Sequence, residues 1–152
     1  MPEAWRIVKA KHAATAFFSD GAARTGGRWN SRGVRMIYAS STKSLAALET
    51  LVHLNPPVPF KYVAFHLQFD AALVENLLPK RLAADWRVEP PPPSTKAIGD
   101  AWVREVRSAV LALPSVIVPG ELNYLLNPAH PAFKKISIGK PERFAFDPLL
   151  LT

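Results

Sequence analysis

The sequence predicts one α+β domain with a mostly antiparallel sheet and flanking helices. Segments typical of strands and of helices are intermixed, without the regular strand–helix–strand repeat that builds a parallel sheet. The 152 residues fit a single domain, 1–152, that is long enough to bury a core. Hydrophobic residues make up 49% and charged residues 20%, which is typical of a globular protein.

The first half of the chain predicts two strands around one helix. Val34–Ser40 is rich in β-formers, and Ser41 or Thr42 can cap a helix that runs to about His53. The apolar stripe of that helix is Leu45, Leu48 and Val52, and Asn55-Pro56-Pro57 ends it. Phe60–Phe69 alternates between apolar and more polar positions, which predicts a half-buried strand, and Asp70 caps a short turn after it.

The second half predicts a helix and several short elements. Pro90–Pro93 is expected to be an extended surface loop, followed by a helix from a Thr95 cap to about Leu113. Further expectations are a strand at Ser115–Val118, a helical turn at Glu121–Asn127 and closing strands at Lys135–Ile138 and Arg143–Phe146, which could form a hairpin around Gly139-Lys140-Pro141.

The net charge of +7 is concentrated near the beginning of the chain. Residues 1–45 contain eight Lys or Arg and two acidic residues, so that this segment carries +6. Such a region favours an anionic partner, although solubility alone explains it equally well. The absence of cysteine excludes disulfides and cysteine-ligated zinc. No signal peptide or membrane-length apolar run is found, so a cytoplasmic protein without membrane contact is expected.

Gly26-Gly27-Arg28-Trp29-Asn30 is the densest candidate for ligand binding. The two glycines permit a tight turn and close approach of a ligand, and Arg28 offers a planar guanidinium suited to a diphosphate. A solvated turn with Trp29 in the core is the plainer interpretation, and the segment alone favours it. Tyr38, near the end of a predicted strand, could offer a stacking surface or be an ordinary core tyrosine.

Glu49 borders the apolar stripe of the predicted helix and must be paired, hydrogen-bonded or functional. His53 lies one turn later on the same side. Ser115 could hydrogen-bond a ligand or cap a strand, and no nucleophile elbow surrounds it. Asn127 and His130 belong to a polar loop. The histidine spacings do not predict a metal site, and no P-loop or dinucleotide-binding glycine motif is present.

Taken together, these segments resemble the RES-domain family, named for an Arg, a Glu and a Ser. The resemblance rests on an ordered series that spans nearly the whole chain: Trp5-Arg6, Gly26-Gly27-Arg28-Trp29-Asn30, Tyr38-Ala39-Ser40, Leu48-Glu49, His53, Pro114-Ser115, Leu126-Asn127-Pro128 and His130-Pro131. The three naming residues look like Arg28, Glu49 and Ser115.

The resemblance implies a toxin of a type II toxin–antitoxin pair with a fold similar to ADP-ribosyltransferases. Its partner would be an Xre-type DNA-binding antitoxin, and a homodimer within the complex is one arrangement left open. The toxin would deplete NAD⁺ by cleaving the nicotinamide–ribose bond, through hydrolysis or phosphorolysis, so NAD⁺ is substrate and no cofactor is needed. Some relatives modify a protein instead.

The chemistry of that reaction suits the candidate residues. Arg28 would bind the diphosphate, Tyr38 would stack on nicotinamide, Glu49 would stabilise the oxocarbenium-like centre, and Ser115 would position the substrate. The resemblance adds a set of predicted substrate-binding residues: Arg6, Gly27, Trp29, Asn30, His53, Asn127 and His130.

A nucleic-acid-binding module is the competing interpretation. The basic first third, together with Trp5, Phe17, Phe18 and Trp29, could track phosphates and stack on bases. The basic residues do not form one tract, however, and Glu49 has no role in such a module. Direct binding of nucleic acid is therefore not expected, and a purely structural partner of a regulator is a third alternative.

Overall fold

The computed structural model describes residues 1–18, 20–53 and 61–151, which form eight strands and three α-helices. The strands are β1 Glu3–Lys9, β2 Ile37–Ser40, β3 Tyr62–Gln68, β4 Val74–Asn76, β5 Val110–Pro114, β6 Leu122–Leu126, β7 Ser137–Ile138 and β8 Glu142–Phe144. The helices are α1 Asp20–Thr25, α2 Lys43–Val52 and α3 Pro93–Arg104. Short 3₁₀ segments lie at Ala10–Thr15, Ala71–Leu73, Pro79–Arg81, Pro131–Lys135 and Pro148–Leu151.

All of these strands belong to one sheet with the order β4-β5-β6-β2-β1-β3-β7, and β8 also pairs with β3. Every pair is antiparallel except β4 with β5. The predicted α+β class with a mostly antiparallel sheet is therefore confirmed.

Both faces of the sheet are covered. Side chains of β5 and β6 alternate between two apolar clusters: Leu111, Leu113 and Leu125 pack with Trp102 of α3, whereas Val110, Ala112 and Leu126 pack on the other face with Phe65 and Phe69. On the α3 side, α2 packs over β1 and β3 through a third cluster that includes Ile7, Ala46 and Ala64. The sequence of a strand that is buried on both faces is a continuous run of apolar residues.

The sheet opens between β1 and β2. These two strands share one register pair, Trp5 with Ser40, whereas β1 and β3 share seven. Beyond Trp5 no further register pair joins the two strands, and the guanidinium of Arg6 donates to the backbone carbonyl of Tyr38 at 2.8 Å. The pairing of the two central strands thus ends beside a cation.

Several predicted elements are confirmed with small shifts. The strand predicted from Val34 begins at Ile37, and Thr42 caps α2 by accepting from the backbone N–H of Leu45 at 3.0 Å. The strand predicted at Phe60–Phe69 is β3, but Tyr62 and Ala64 on its supposedly exposed face are also buried. Asp70 caps the short turn at Ala71–Leu73. The stop predicted at Asn55-Pro56-Pro57 lies outside the described residues.

Several predictions for the second half are wrong. The helix expected to reach Leu113 ends at Arg104, and a reversal with a positive φ of 50° at Val106 leads into β5. The segment Ser115–Val118 is a turn rather than a strand, and Glu121–Asn127 contains β6 rather than a helical turn. Pro93 begins α3 instead of belonging to a loop, because proline at the first helical position loses no hydrogen bond. Thr95, predicted to cap the helix, therefore lies inside it.

The closing strands are present, but they do not form a hairpin. β7 pairs with the end of β3 at Leu67 and Gln68, and β8 pairs with its beginning at Tyr62–Ala64. The two short strands thus follow one another along the same edge.

Candidate functional site

The carboxylate of Glu49 is held by two side chains from the sheet end beneath α2. Its Oε1 accepts a hydrogen bond from Ser115 Oγ at 3.1 Å and another from Asn123 Nδ2 at 2.7 Å. Asn123 Oδ1 in turn accepts from Ser40 Oγ at 2.7 Å. Three separate segments, α2, the end of β5 and the β2–β6 pair, therefore meet at one carboxylate.

Ser115 has its hydroxyl fully engaged. The side chain is buried, its proton points to Glu49, and its oxygen accepts from the backbone N–H groups of Ile117 and Val118, both at 3.1 Å. A serine with these contacts fixes the turn after β5 and orients the carboxylate. That Ser115 positions the substrate and does not attack it stays a prediction.

Tyr38 lies two residues before Ser40 on the same face of β2, next to the glycine-rich turn. Its hydroxyl donates to Asn30 Oδ1 at 2.5 Å and accepts from the backbone N–H of Trp29 at 3.2 Å. Burial raises the pKa of Tyr38 above its ordinary value, so the phenol stays neutral at physiological pH. A Cβ at Gly27 would lie 2.7 Å from the hydroxyl, which explains the glycine.

The side chains of Trp29 and Asn30 point inward. Trp29 packs in the core with Trp102, and the fully buried Asn30 amide donates to the carbonyls of Ala22 and Val34. The side chains of these two residues support the turn from inside, and the substrate contact predicted for them stays a prediction.

Arg28 is bonded to the loop at 86–89. Its Nη1 donates to the carbonyls of Trp86 and Val88 at 3.0 and 2.9 Å, and its Nη2 forms an ion pair with Glu89 at 2.8 Å. The side chain is only 15% exposed. The guanidinium predicted to bind a diphosphate is thus occupied by acceptors of its own chain.

Arg6 has a different environment. It donates to the carbonyls of Ala16 and Tyr38, both at 2.8 Å, and no carboxylate of the described residues lies within ion-pairing distance. Burial lowers its pKa to about 10, which still leaves it charged at neutral pH. An uncompensated cation beside the opening of the sheet is a natural site for an anion.

The remaining predicted residues lie apart from Glu49. His53 is exposed at the end of α2. Asn127 and His130 stabilise the loop after β6 by accepting from the backbone N–H groups of Ala129 and Ala132. Asn127 lies four positions after Asn123, directly beyond the end of β6, a distance of about 13 Å at the usual rise. The structure therefore does not bring Asn127 and His130 to the carboxylate.

Ser40 and Asn123 complete the cluster around Glu49, and sequence reasoning did not assign a role to either. The erroneous helical turn at Glu121–Asn127 concealed Asn123, since only strand pairing of β6 with β2 places it opposite Ser40. Among the described residues, no group of His, Asp and Glu could hold a metal ion. No helix within those residues is long and apolar enough to cross a membrane.

The family model described as RES domain matches residues 3–147. The chain belongs to the RES domain family. Of the three residues assigned to the family name, Glu49 and Ser115 are in direct contact, whereas the guanidinium of Arg28 is bonded to the loop at 86–89.

Other proteins resemble this chain over almost its full length. A protein of Yersinia enterocolitica named Toxin Res is 38% identical over 148 residues, 96% of this chain and 97% of that protein. A Sphingobium protein named Prs ADP-ribosylating toxin is 39% identical over 153 residues, 97% of this chain and 95% of that protein. A chain of the solved M. tuberculosis MbcT–MbcA toxin–antitoxin complex has the same fold, with a TM-score of 0.77, 16% identity and coverage of 95% and 84%.

Proposed function

We propose that this RES domain is an enzymatic toxin that depletes NAD⁺ by cleaving the bond between nicotinamide and ribose. The observation that carries the proposal is the Glu49 carboxylate, held through Oε1 while Oε2 has no hydrogen bond from the described residues. The described residues also do not fully enclose Oε2. One oxygen therefore fixes the group and the other remains open to a ligand.

A carboxylate in this position can stabilise the transition state of nicotinamide loss. As the bond from ribose C1′ to the nicotinamide nitrogen breaks, its electron pair leaves with nicotinamide and positive charge develops on the ribose. Oε2 of Glu49 would face that charge or hydrogen-bond a ribose hydroxyl. Water then attacks C1′, which yields ADP-ribose, nicotinamide and a proton; phosphate would instead yield ADP-ribose 1″-phosphate.

The anionic part of the substrate needs a cation, and Arg6 suits this role better than Arg28. Within the described residues Arg6 donates to neutral carbonyls, at the point where the pairing of β1 and β2 ends, whereas Arg28 already pairs with Glu89. We assign the diphosphate to Arg6 and a supporting role to Arg28, which fastens the loop at 86–89 to the turn. Arg6 pairs with Phe65 and extends from the face of β1 opposite the side chains of Tyr38 and Ser40, and its guanidinium reaches the edge of β2 at the Tyr38 carbonyl.

Nicotinamide release from NAD⁺ tests the proposal directly. Purified protein without any partner should convert NAD⁺ to nicotinamide and ADP-ribose, measured by chromatography with and without phosphate. The ratio of ADP-ribose to its phosphate ester identifies the acceptor. Intact NAD⁺ after prolonged incubation under both conditions would contradict the proposal.

Transfer of ADP-ribose to a protein is a second candidate, favoured by the name of the Sphingobium relative. Both reactions begin with the same bond cleavage and differ only in the acceptor at C1′. Incubating the enzyme with NAD⁺ labelled in the adenylate part and a cell extract separates them. Label retained on one protein band supports transfer, while label found only in small molecules supports NAD⁺ depletion.

A nucleic-acid-binding module is disfavoured by the aromatic side chains it would need. Trp29 is buried, Trp5 stacks on His66 with ring centroids 4.5 Å apart, and Phe17 packs edge-on against Phe65. Only Phe18 of the four is largely exposed. A basic surface without a row of free rings lacks the stacking positions used for single strands.

We further propose that the cell protects itself with an antitoxin that binds this chain, as the partner in the M. tuberculosis complex suggests. An Xre-type DNA-binding protein encoded next to the toxin is the expected partner. Its co-expression should restore growth and allow the two proteins to be purified together.

A further inference from the structure

The side-chain amide of Asn123 has a defined orientation. Its nitrogen lies 2.7 Å from Glu49 Oε1, and its oxygen lies 2.7 Å from Ser40 Oγ. A carboxylate only accepts hydrogen bonds, so the amide must present its N–H₂ group to Glu49. The hydroxyl of the buried Ser40 then donates to the amide oxygen.

The sheet holds this amide firmly. Asn123 pairs with Ser40 of β2 on one side and with Leu113 of β5 on the other, so its backbone lies within the interior of the sheet. Glu49, by contrast, extends from α2, which is joined to the sheet by packing. The contact with Asn123 therefore fixes a helix-borne carboxylate relative to a rigid strand.

The contacts reach only one carboxylate oxygen. Ser115 and Asn123 both donate to Oε1, which determines the rotation of the carboxylate and hence where Oε2 points. Orientation of a charged group before the reaction is the main way in which enzymes stabilise developing charge.

We propose that Asn123 is a positioning residue for Glu49 and that Ser40 acts through Asn123 by orienting its amide. The inference rests on the proposed cleavage of NAD⁺, in which Oε2 of Glu49 faces the ribose. Neither residue touches the substrate, so both act on the rate of bond cleavage more than on substrate binding.

Asn123→Ala should lower kcat by about ten- to a hundredfold with little change in KM, because a displacement of about 1 Å can cost a hundredfold. Asn123→Asp keeps the shape but turns the donor into a second acceptor facing Glu49. It should be at least as slow as the alanine variant, whereas a residue that only fills space would tolerate this change.

Because Ser40 is proposed to act through Asn123, combining substitutions of the two residues gives a second, stricter test. If Ser40 acts only through Asn123, Ser40→Ala should reduce kcat less than Asn123→Ala does, and the double variant should be no slower than Asn123→Ala alone. Independent structural roles would instead give additive losses. Asn76→Ala, on the exposed edge strand β4, is the matched control and should retain the wild-type rate.

The experiment measures kcat and KM for nicotinamide release from NAD⁺ together with the melting temperature of each variant. A fall in kcat with non-additivity, at temperatures where all variants are folded, supports the proposal. Wild-type kcat in both Asn123→Ala and Asn123→Asp, a rise confined to KM, or additive effects of Ser40 and Asn123 overturns it. A wild-type protein that releases no nicotinamide overturns the proposed function itself and this inference with it.

Discussion

At the scale of single residues, the substitution Glu49→Gln removes the charge of the side chain and nearly keeps its shape. In Glu49→Gln the amide oxygen can still accept from Ser115 and Asn123, while the amide nitrogen takes the place of Oε2. Only the charge that faces the ribose is lost. We expect kcat to fall by about a hundredfold or more, on the scale of one preorganised electrostatic contact, with little change in melting temperature. Unchanged nicotinamide release in the glutamine variant would make Glu49 a structural residue.

The two arginines should respond differently to substitution. Arg28→Ala removes charge-assisted hydrogen bonds to the loop at 86–89, each contributing about 1.5–3 kcal/mol when well shielded and less for the exposed Glu89. Thermal unfolding should show a melting temperature lowered by several degrees, at about 2–4 °C per kcal/mol for a domain of this size.

Arg6→Met keeps an apolar stem but removes the cation, so KM for NAD⁺ should rise about tenfold or more. Steady-state kinetics of Arg6→Met and Arg28→Ala decides which of the two arginines binds the diphosphate. If KM rises for Arg28→Ala and not for Arg6→Met, the diphosphate belongs to Arg28, as the sequence alone predicted.

Sequence reasoning identified Glu49 and Ser115 as candidates but could not state that they touch. Glu49 was conspicuous because a carboxylate bordered an apolar helical stripe. The engagement of Arg28 by Trp86, Val88 and Glu89 was not predictable, because those acceptors lie about sixty residues away in a loop without a motif.

At the scale of elements, α3 is fastened to the glycine-rich turn by unusually close packing. A Cβ at Gly99 would lie 1.7 Å from the carbonyl oxygen of Trp29, and Lys96 and Asp100 bond the same turn. We expect Gly99→Ala to destabilise the protein by about 1–3 kcal/mol or more, because backbone atoms must separate. Gly21→Ala in α1 is the control, since a Cβ there meets nothing within 4 Å.

Chemical denaturation of both glycine variants provides the measurement. Gly21→Ala should be neutral or slightly stabilising, as expected for alanine in a helix. Equal stability of the Gly99 and Gly21 variants would show that α3 can shift away from the turn without cost.

Thr42 connects helix capping to the site, because α2 carries Glu49. Loss of its hydrogen bond to the Leu45 N–H in Thr42→Ala should cost about 1 kcal/mol and lower the melting temperature by a few degrees. Ser44→Ala, two residues further on an exposed position of the same helix, should leave it unchanged. A larger loss for Ser44→Ala would contradict the assignment of the cap.

The elements that sequence reasoning misplaced are those whose state depends on distant partners. Val110–Pro114 is apolar throughout and fits either a buried helix or a doubly buried strand, and only pairing with β4 and β6 selects the strand. Residues 3–9 carried no strand prediction. Ala4 and Val8 lie on one face of β1, and Arg6, between them on the same face, interrupts the apolar pattern. Local signals such as the Thr42 and Asp70 caps were predicted correctly because they need no distant partner.

At the scale of the whole molecule, the architecture brings together segments that are far apart in sequence. The site combines β1, β2, α2, β5 and β6, so it exists only when the sheet is complete. Of the basic residues in 1–45, Arg6 and Lys9 lie on β1 and Lys43 on α2, so that two of the elements that build the site carry positive charge. Such a field attracts an anionic substrate and equally an acidic partner.

The last prediction concerns recognition by the proposed antitoxin. If the basic segment guides association, Arg32→Glu should slow complex formation and raise its sensitivity to salt, because Arg32 is exposed and has no ion pair within the described part of the chain. Lys140→Glu changes the charge equally on an exposed residue outside that segment and should have a weaker effect. Association rates of purified toxin with its neighbouring gene product, measured at several salt concentrations, compare the two. Equal rates for both variants would mean that the concentration of charge in residues 1–45 does not direct the partner.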